Sequence, residues 1–137
     1  MPRTAYIDSS ALLKLVVREP ETSALEADLA QRDGLLASRL VVLECRRAAR
    51  RASHARLLQR VDDLLEAIYL LELTPAILDD AATLDPPLLR SLDALHLATA
   101  LAVDDPELEL ITYDTRLADA ATASGLVVVQ PGRRPSR

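Results

Sequence analysis

Short apolar runs alternate along the chain with longer stretches in which apolar residues recur at helical spacing. Ala5-Tyr6-Ile7 reads as a short buried strand. The stretch from Ser10, with Leu12, Leu13, Val16 and Val17 at helical spacing, reads as a helix that Pro20 stops. Glu21 to Gln31 repeats the helical period through Leu25 and Leu29 until Asp33-Gly34 breaks it. Leu35-Leu36-Ala37 gives a second strand, and Ser38 is placed to cap the helix that runs through Val41, Val42, Cys45 and Ala49. A further helix covers Ala55 to Ala67, and Ile68 to Leu73 makes a third strand. Pro75 suits the first turn of a helix reaching Leu84. After the Asp85-Pro86-Pro87 loop, Ser91 is expected to cap a helix over Leu92 to Val103, which Asp105-Pro106 ends. Leu108 to Tyr113 is the fourth strand, Asp114 to Ser124 a helix closed by Gly125, and Leu126 to Val129 the fifth strand. Strands alternating with helices imply an α/β fold, a three-layer α/β/α sandwich around a parallel sheet. One packed domain is expected over residues 1–130, followed by a basic, flexible tail over 131–137.

Composition narrows the picture. A chain of 137 residues is one ordinary domain, and at 50% hydrophobic it can bury a core without staples. The single cysteine, Cys45, excludes an internal disulfide framework, and with two histidines it makes a poor zinc ligand set. No apolar run approaches the roughly 20 residues of a membrane span. The apolar stretch after Met1-Pro2-Arg3-Thr4 ends at Asp8, too soon for a signal peptide, so a cytoplasmic protein without membrane contact is expected. The formal charge of −5 argues against nucleic-acid binding, but its distribution matters more. Arginines cluster at Arg46, Arg47, Arg50, Arg51, Arg56 and Arg60, and again at Arg133, Arg134 and Arg137. The first cluster suits RNA, a protein partner, or a plain solvated helix face. Three tyrosines are the only aromatics besides histidine, which disfavours a base-stacking platform.

Four acidic positions carry the candidate chemistry. Asp8 ends the first strand and Asp114 the fourth, and in open parallel sheets ligands bind outside such strand ends. Each also suits the cap of the following helix, and the two roles are compatible. Asp93 falls in the first turn of its helix, where the dipole favours a carboxylate. Glu44 is flanked by Val41, Val42, Leu43 and Cys45, so it either lies near the buried side or pairs along its helix with Arg47 or Arg51. His96, three residues after Asp93, is better read as a packed, hydrogen-bonded side chain than as a general acid. Arg90 and Arg116 flank two of the acids and suit either substrate phosphate or surface ion pairs.

The stretches around these acids resemble the PIN-domain family. Ile7-Asp8-Ser9-Ser10-Ala11-Leu12 resembles its first motif, Val42-Leu43-Glu44 its second, Leu92-Asp93-Ala94-Leu95-His96-Leu97-Ala98 its third and Ile111-Thr112-Tyr113-Asp114-Thr115-Arg116-Leu117 its fourth. Gly125-Leu126-Val127-Val128-Val129 is similar to the family's last strand, and the length and spacing resemble the VapC toxins of bacterial toxin–antitoxin pairs. The resemblance implies a five-stranded sheet in the order 3-2-1-4-5 and a ribonuclease dependent on Mg²⁺ or Mn²⁺. It implies Asp8, Glu44, Asp93 and Asp114 as the active site. Asp8, Asp93 and Asp114 would hold the metal, and Glu44 would act through water or orient the nucleophile. Ser9, Thr112 and Arg116 are supporting or substrate-facing candidates. It further implies an RNA substrate, a homodimer, and a small VapB-like antitoxin docking on the apolar helices between Ser10 and Val42. A receiver domain wants an acidic pair at the first strand end, and a DxD phosphatase wants an Asp where this chain has Ser10. The alternative that survives is a non-catalytic partner-binding module with a structural or vestigial metal site.

Overall fold

A computed structural model of the chain describes residues 3–133. In chain order its elements are β1 (Thr4–Ile7), α1 (Ser9–Val16), α2 (Thr22–Leu29), β2 (Gly34–Ser38), α3 (Leu40–Arg51), α4 (Ala55–Glu66), β3 (Tyr69–Leu71), α5 (Pro75–Ala82), α6 (Ser91–Ala102), β4 (Glu109–Ile111), α7 (Thr115–Ala123) and β5 (Val127–Val129). The strands form one sheet in the order β3-β2-β1-β4-β5, every neighbouring pair parallel. β1 is central, with Ala5 opposite Leu35 on one side and Glu109 on the other.

The two-residue period of β1 divides the core. Ala5 and Ile7 face a cluster built with Leu12, Val16, Leu25, Val41, Cys45, Val61 and Leu65, drawn from α1 to α4. Tyr6 faces the opposite cluster, with Leu97, Leu108, Leu110, Leu117 and Ala121, in which α6 and α7 cover the sheet. α5 packs against α6. This is the three-layer sandwich: burial on both faces of β1 explains why its sequence is continuously apolar instead of alternating.

Several boundaries differ from the sequence reading. β4 covers three residues where an apolar run from Leu108 to Tyr113 suggested more, because Thr112 and Tyr113 leave the ladder to serve the site. Ser91 is the first residue of α6 and not its cap; that position falls to Arg90, which makes no side-chain capping bond. At α3 the cap position is Arg39, although the Ser38 hydroxyl still accepts the Leu40 N–H at 3.1 Å. Gly125 closes α7 with φ +92°, and Leu126 N–H reaches back to the Ala121 carbonyl at 3.0 Å.

The beginning of the expected tail is packed. Pro131 accepts the Tyr113 hydroxyl at 2.7 Å, and Arg133 donates to the Tyr113 carbonyl at 2.7 Å. Gly132, at φ +84°, passes so close to Glu21 that an added Cβ would stand 3.1 Å from its Cα. Residues 134–137, with the basic positions Arg134 and Arg137, lie outside the described residues. Among the described residues no helix is long and apolar enough to cross a membrane.

Candidate active site

Asp8 and Asp114 follow the carboxyl ends of the adjacent strands β1 and β4, so the sheet delivers both to the same edge. Each caps the next helix. Asp8 Oδ1 accepts the Ala11 N–H at 3.1 Å at the start of α1, and Asp114 Oδ1 accepts the Arg116 and Leu117 N–H groups at 2.9 and 3.2 Å at the start of α7. Capping and site chemistry are thus served by the same carboxylates. Asp93 arrives from the first turn of α6, and Glu44 from the middle of α3. With Ser9, Ser10, Arg90, Ser91, Leu92 and His96, these four acids line one cavity of about 240 Å³.

Asp8 is 3% exposed and heavily bonded. Ser10 Oγ donates to its Oδ1 at 2.7 Å, and Thr112 Oγ1 donates to its Oδ2 at 2.6 Å. Burial raises its pKa, and the Thr112, Ser10 and Ala11 hydrogen bonds pull against that rise. Asp93 also has a raised pKa, first through burial and then through the charge of Asp114, with Arg90 opposing. Its Oδ2 is buried without any hydrogen-bond partner, the one such side-chain atom among the described residues. A polar atom in that state costs free energy unless something on the cavity side satisfies it.

Glu44 pairs with neither Arg47 nor Arg51. Its Oε1 lies 2.7 Å from His96 Nε2, and the other ring nitrogen of His96 lies 2.7 Å from the Tyr6 hydroxyl. His96 is 2% exposed, a packed and fully bonded residue at the back of the cavity. Arg116 lies apart: it lines a separate groove of about 640 Å³ with Pro86, Leu88, Leu89, Asp119, Ala120 and Ala123, and only its backbone N–H serves Asp114. Ser10 escaped the sequence reading. Besides Asp8 it meets the Tyr113 N–H at 2.9 Å and so ties β1 to the segment after β4. Its position two residues after a strand-end aspartate was the available signal.

The donor set is oxygen-only, which suits hard cations such as Mg²⁺ or Mn²⁺, and the orphaned Asp93 Oδ2 offers one such a vacant ligand. As the side chains stand, no three Asp, Glu, His or Cys groups among the described residues are drawn together tightly enough to hold a metal ion. The chemistry of the site nonetheless fits a divalent cation.

Comparison with known proteins defines the class. The PIN domain family profile matches residues 5–123. The chain is 41% identical over 133 residues to Ribonuclease VapC46 of Mycobacterium tuberculosis, covering 92% of this chain and 96% of that protein. To Ribonuclease VapC47 of the same species it is 36% identical, covering 93% and 96%. The chain belongs to the PIN domain family, in its VapC group. Among solved structures, a toxin–antitoxin complex from Klebsiella pneumoniae matches with a TM-score of 0.71 and 26% identity, covering 93% of this chain and 97% of that one. The sarcin-ricin loop cleaving toxin VapC20 of M. tuberculosis matches with a TM-score of 0.74 at 16% identity, covering 93% and 99%, and shares the fold.

Proposed function

We propose that this chain is a divalent-cation-dependent ribonuclease, the toxin of a toxin–antitoxin pair, with Asp8, Glu44, Asp93 and Asp114 as its working carboxylates. The observation that carries the reading is convergence: acids from β1, α3, α6 and the end of β4 line a single small cavity, and one of their oxygens is buried without a partner. The VapC relatives, named as ribonucleases, and the toxin–antitoxin complex with the same fold support it.

Asp8, Asp93 and Asp114 would hold Mg²⁺ or Mn²⁺, which when bound supplies charge relief to the phosphodiester and acidity to a water. The chain's own contribution is positioning. Three donors fix Asp8, so it presents its oxygens without a rotamer search. Asp93 brings an uncommitted oxygen, and Asp114 is anchored through one oxygen by the start of α7. Among the hydrogen bonds of the described residues only Oε1 of Glu44 is taken, leaving Oε2 to orient an attacking water or take its proton. Ser9 lies at the cavity wall, and Arg90 is a cation there for the scissile phosphate. The reading includes a cytoplasmic location, a homodimer, and a small VapB-like antitoxin that covers the cavity.

The test is cleavage of RNA by purified protein. Activity should appear with Mg²⁺ or Mn²⁺, vanish in EDTA, and fall at least 100-fold in Asp93→Asn, in the range lost when one group of a catalytic constellation is removed. Full activity in EDTA or in Asp93→Asn would sink the metal-site assignment. Absence of cleavage across RNAs and metals would leave the partner-binding alternative as the better reading.

A further inference from the structure

A buried hydrogen-bond line runs behind the acidic cavity. Ser38 N–H, at the end of β2, donates to the hydroxyl of Tyr6 on β1 at 3.1 Å. That hydroxyl lies 2.7 Å from His96 Nδ1, with the two rings meeting edge to face at a centroid distance of 5.9 Å. His96 Nε2 then meets Glu44 Oε1 at 2.7 Å. Tyr6 and Ser38 are 0% exposed and His96 is 2% exposed, so water does not enter the line.

The donors can be assigned by elimination. The Tyr6 oxygen already receives the Ser38 N–H, and burial keeps its phenol protonated by raising its pKa. Its proton has His96 Nδ1 as its acceptor at 2.7 Å, with Thr99 the other side chain beside the phenol. A neutral ring that accepts at Nδ1 carries its proton on Nε2, where the carboxylate needs a donor. The opposite tautomer would set the bare Nε2 lone pair 2.7 Å from a carboxylate oxygen. An imidazolium would aim its Nδ1–H at the Tyr6 oxygen beside the Ser38 N–H and turn the hydroxyl proton away from His96, giving up the 2.7 Å bond as a Tyr6 donation.

We propose that Tyr6 fixes His96 as the Nε2–H tautomer, and that His96 is thereby a positioning residue that holds the Glu44 carboxylate at the cavity. Without it, Glu44 has a rival on its own helix. Arg47 lies one turn along α3, exposed and in no ion pair among the described residues, where it can draw the carboxylate outward. A rigid neutral donor anchored to the central strand prevents that without adding positive charge beside the cavity. The consequence for catalysis rests on the reading of this cavity as the ribonuclease site; the tautomer and its hold on Glu44 do not.

The chain has two histidines, and the other, His54, is exposed, so ¹⁵N-histidine labelling yields two rings with an internal control. Long-range ¹H–¹⁵N spectra should show His96 as a single Nε2–H tautomer at neutral pH with an unprotonated Nδ1. Tyr6→Phe should remove the hydrogen bond accepted at Nδ1 and so shift the Nδ1 resonance, and Glu44→Ala should speed solvent exchange of the Nε2 proton, with His54 unchanged in both. In cleavage assays Tyr6→Phe should lower kcat about tenfold at nearly constant KM, the size expected when a residue orienting another is lost. His96→Leu should lose more, and His96→Gln, whose amide can still donate to Glu44, should recover most of the activity. An Nδ1–H tautomer or an imidazolium in the unmodified protein overturns the proposal, as does a Tyr6→Phe spectrum identical to it. Unchanged kcat in His96→Leu removes the positioning role even if the tautomer is as assigned. If the unmodified protein cleaves no RNA, the ribonuclease reading fails, while the spectra still decide the tautomer and its hold on Glu44.

Discussion

Asp93 sits in the first turn of α6, where the helix dipole welcomes a carboxylate, yet one of its oxygens is buried without a partner. A carboxylate whose pKa rises on folding costs stability once ionised. That cost is absent below its unfolded-state pKa and present in full above the folded-state value. In EDTA at neutral pH, Asp93→Asn should therefore raise the melting temperature by roughly 4 °C, the shift that about 1 kcal/mol gives in a domain of this size. The difference should close on acidification and reverse when Mg²⁺ or Mn²⁺ binds only the unmodified chain. An unaltered melting temperature at neutral pH would mean that Asp93 bears no such strain. Single residues were also where the sequence was least informative. Asp8 and Asp114 could be placed at strand ends, because apolar runs stop at them. The partner of Glu44 could not, since α3 offers Arg47 and Arg51 at the right spacing while His96 lies 52 residues away in the chain.

Helix α3 shows how one element can divide its labour. Glu44 lies at the cavity, and Arg47 and Arg51 follow it at i+3 and i+7, on the same side of the helix. Arg46 points elsewhere and pairs with Asp62 of α4 at 3.1 Å. RNA entering the cavity would thus meet Arg47 and Arg51 as it leaves. Replacing both with Gln should weaken RNA binding and flatten its dependence on log salt by about 1.4, two contacts at about 0.7 each for a single strand. An unchanged salt slope would return these arginines to the solvent. At this scale the sequence was a good guide to which elements exist, because apolar periodicity follows burial. It was poorer at their ends: the apolar pattern continues through Thr112 and Tyr113, but their hydrogen bonds go to Asp8, Ser10 and Arg133 and not to the sheet.

The architecture as a whole was readable because it follows from alternation: strands buried on both faces, each followed by helical pattern, leave a parallel sheet as the economical solution. Strand order was readable only through the family resemblance, since periodicity carries no information on which strands are neighbours. For the intact protein, expression alone should arrest bacterial growth, and co-expression of the cognate antitoxin should restore it. Normal growth with abundant folded protein would count against the toxin reading. The packed segment after β5 bears on how the acids are held. Gln130 donates to the Thr112 carbonyl at 2.9 Å, and Arg133 braces Tyr113 from above its ring, 5.3 Å from the centroid, and at its carbonyl. These bonds grip the loop that gives Asp8 its Thr112 partner and carries Asp114. Two acids of the cavity therefore owe their setting to side chains that lie beyond the last strand of the sheet, Gln130 and Arg133.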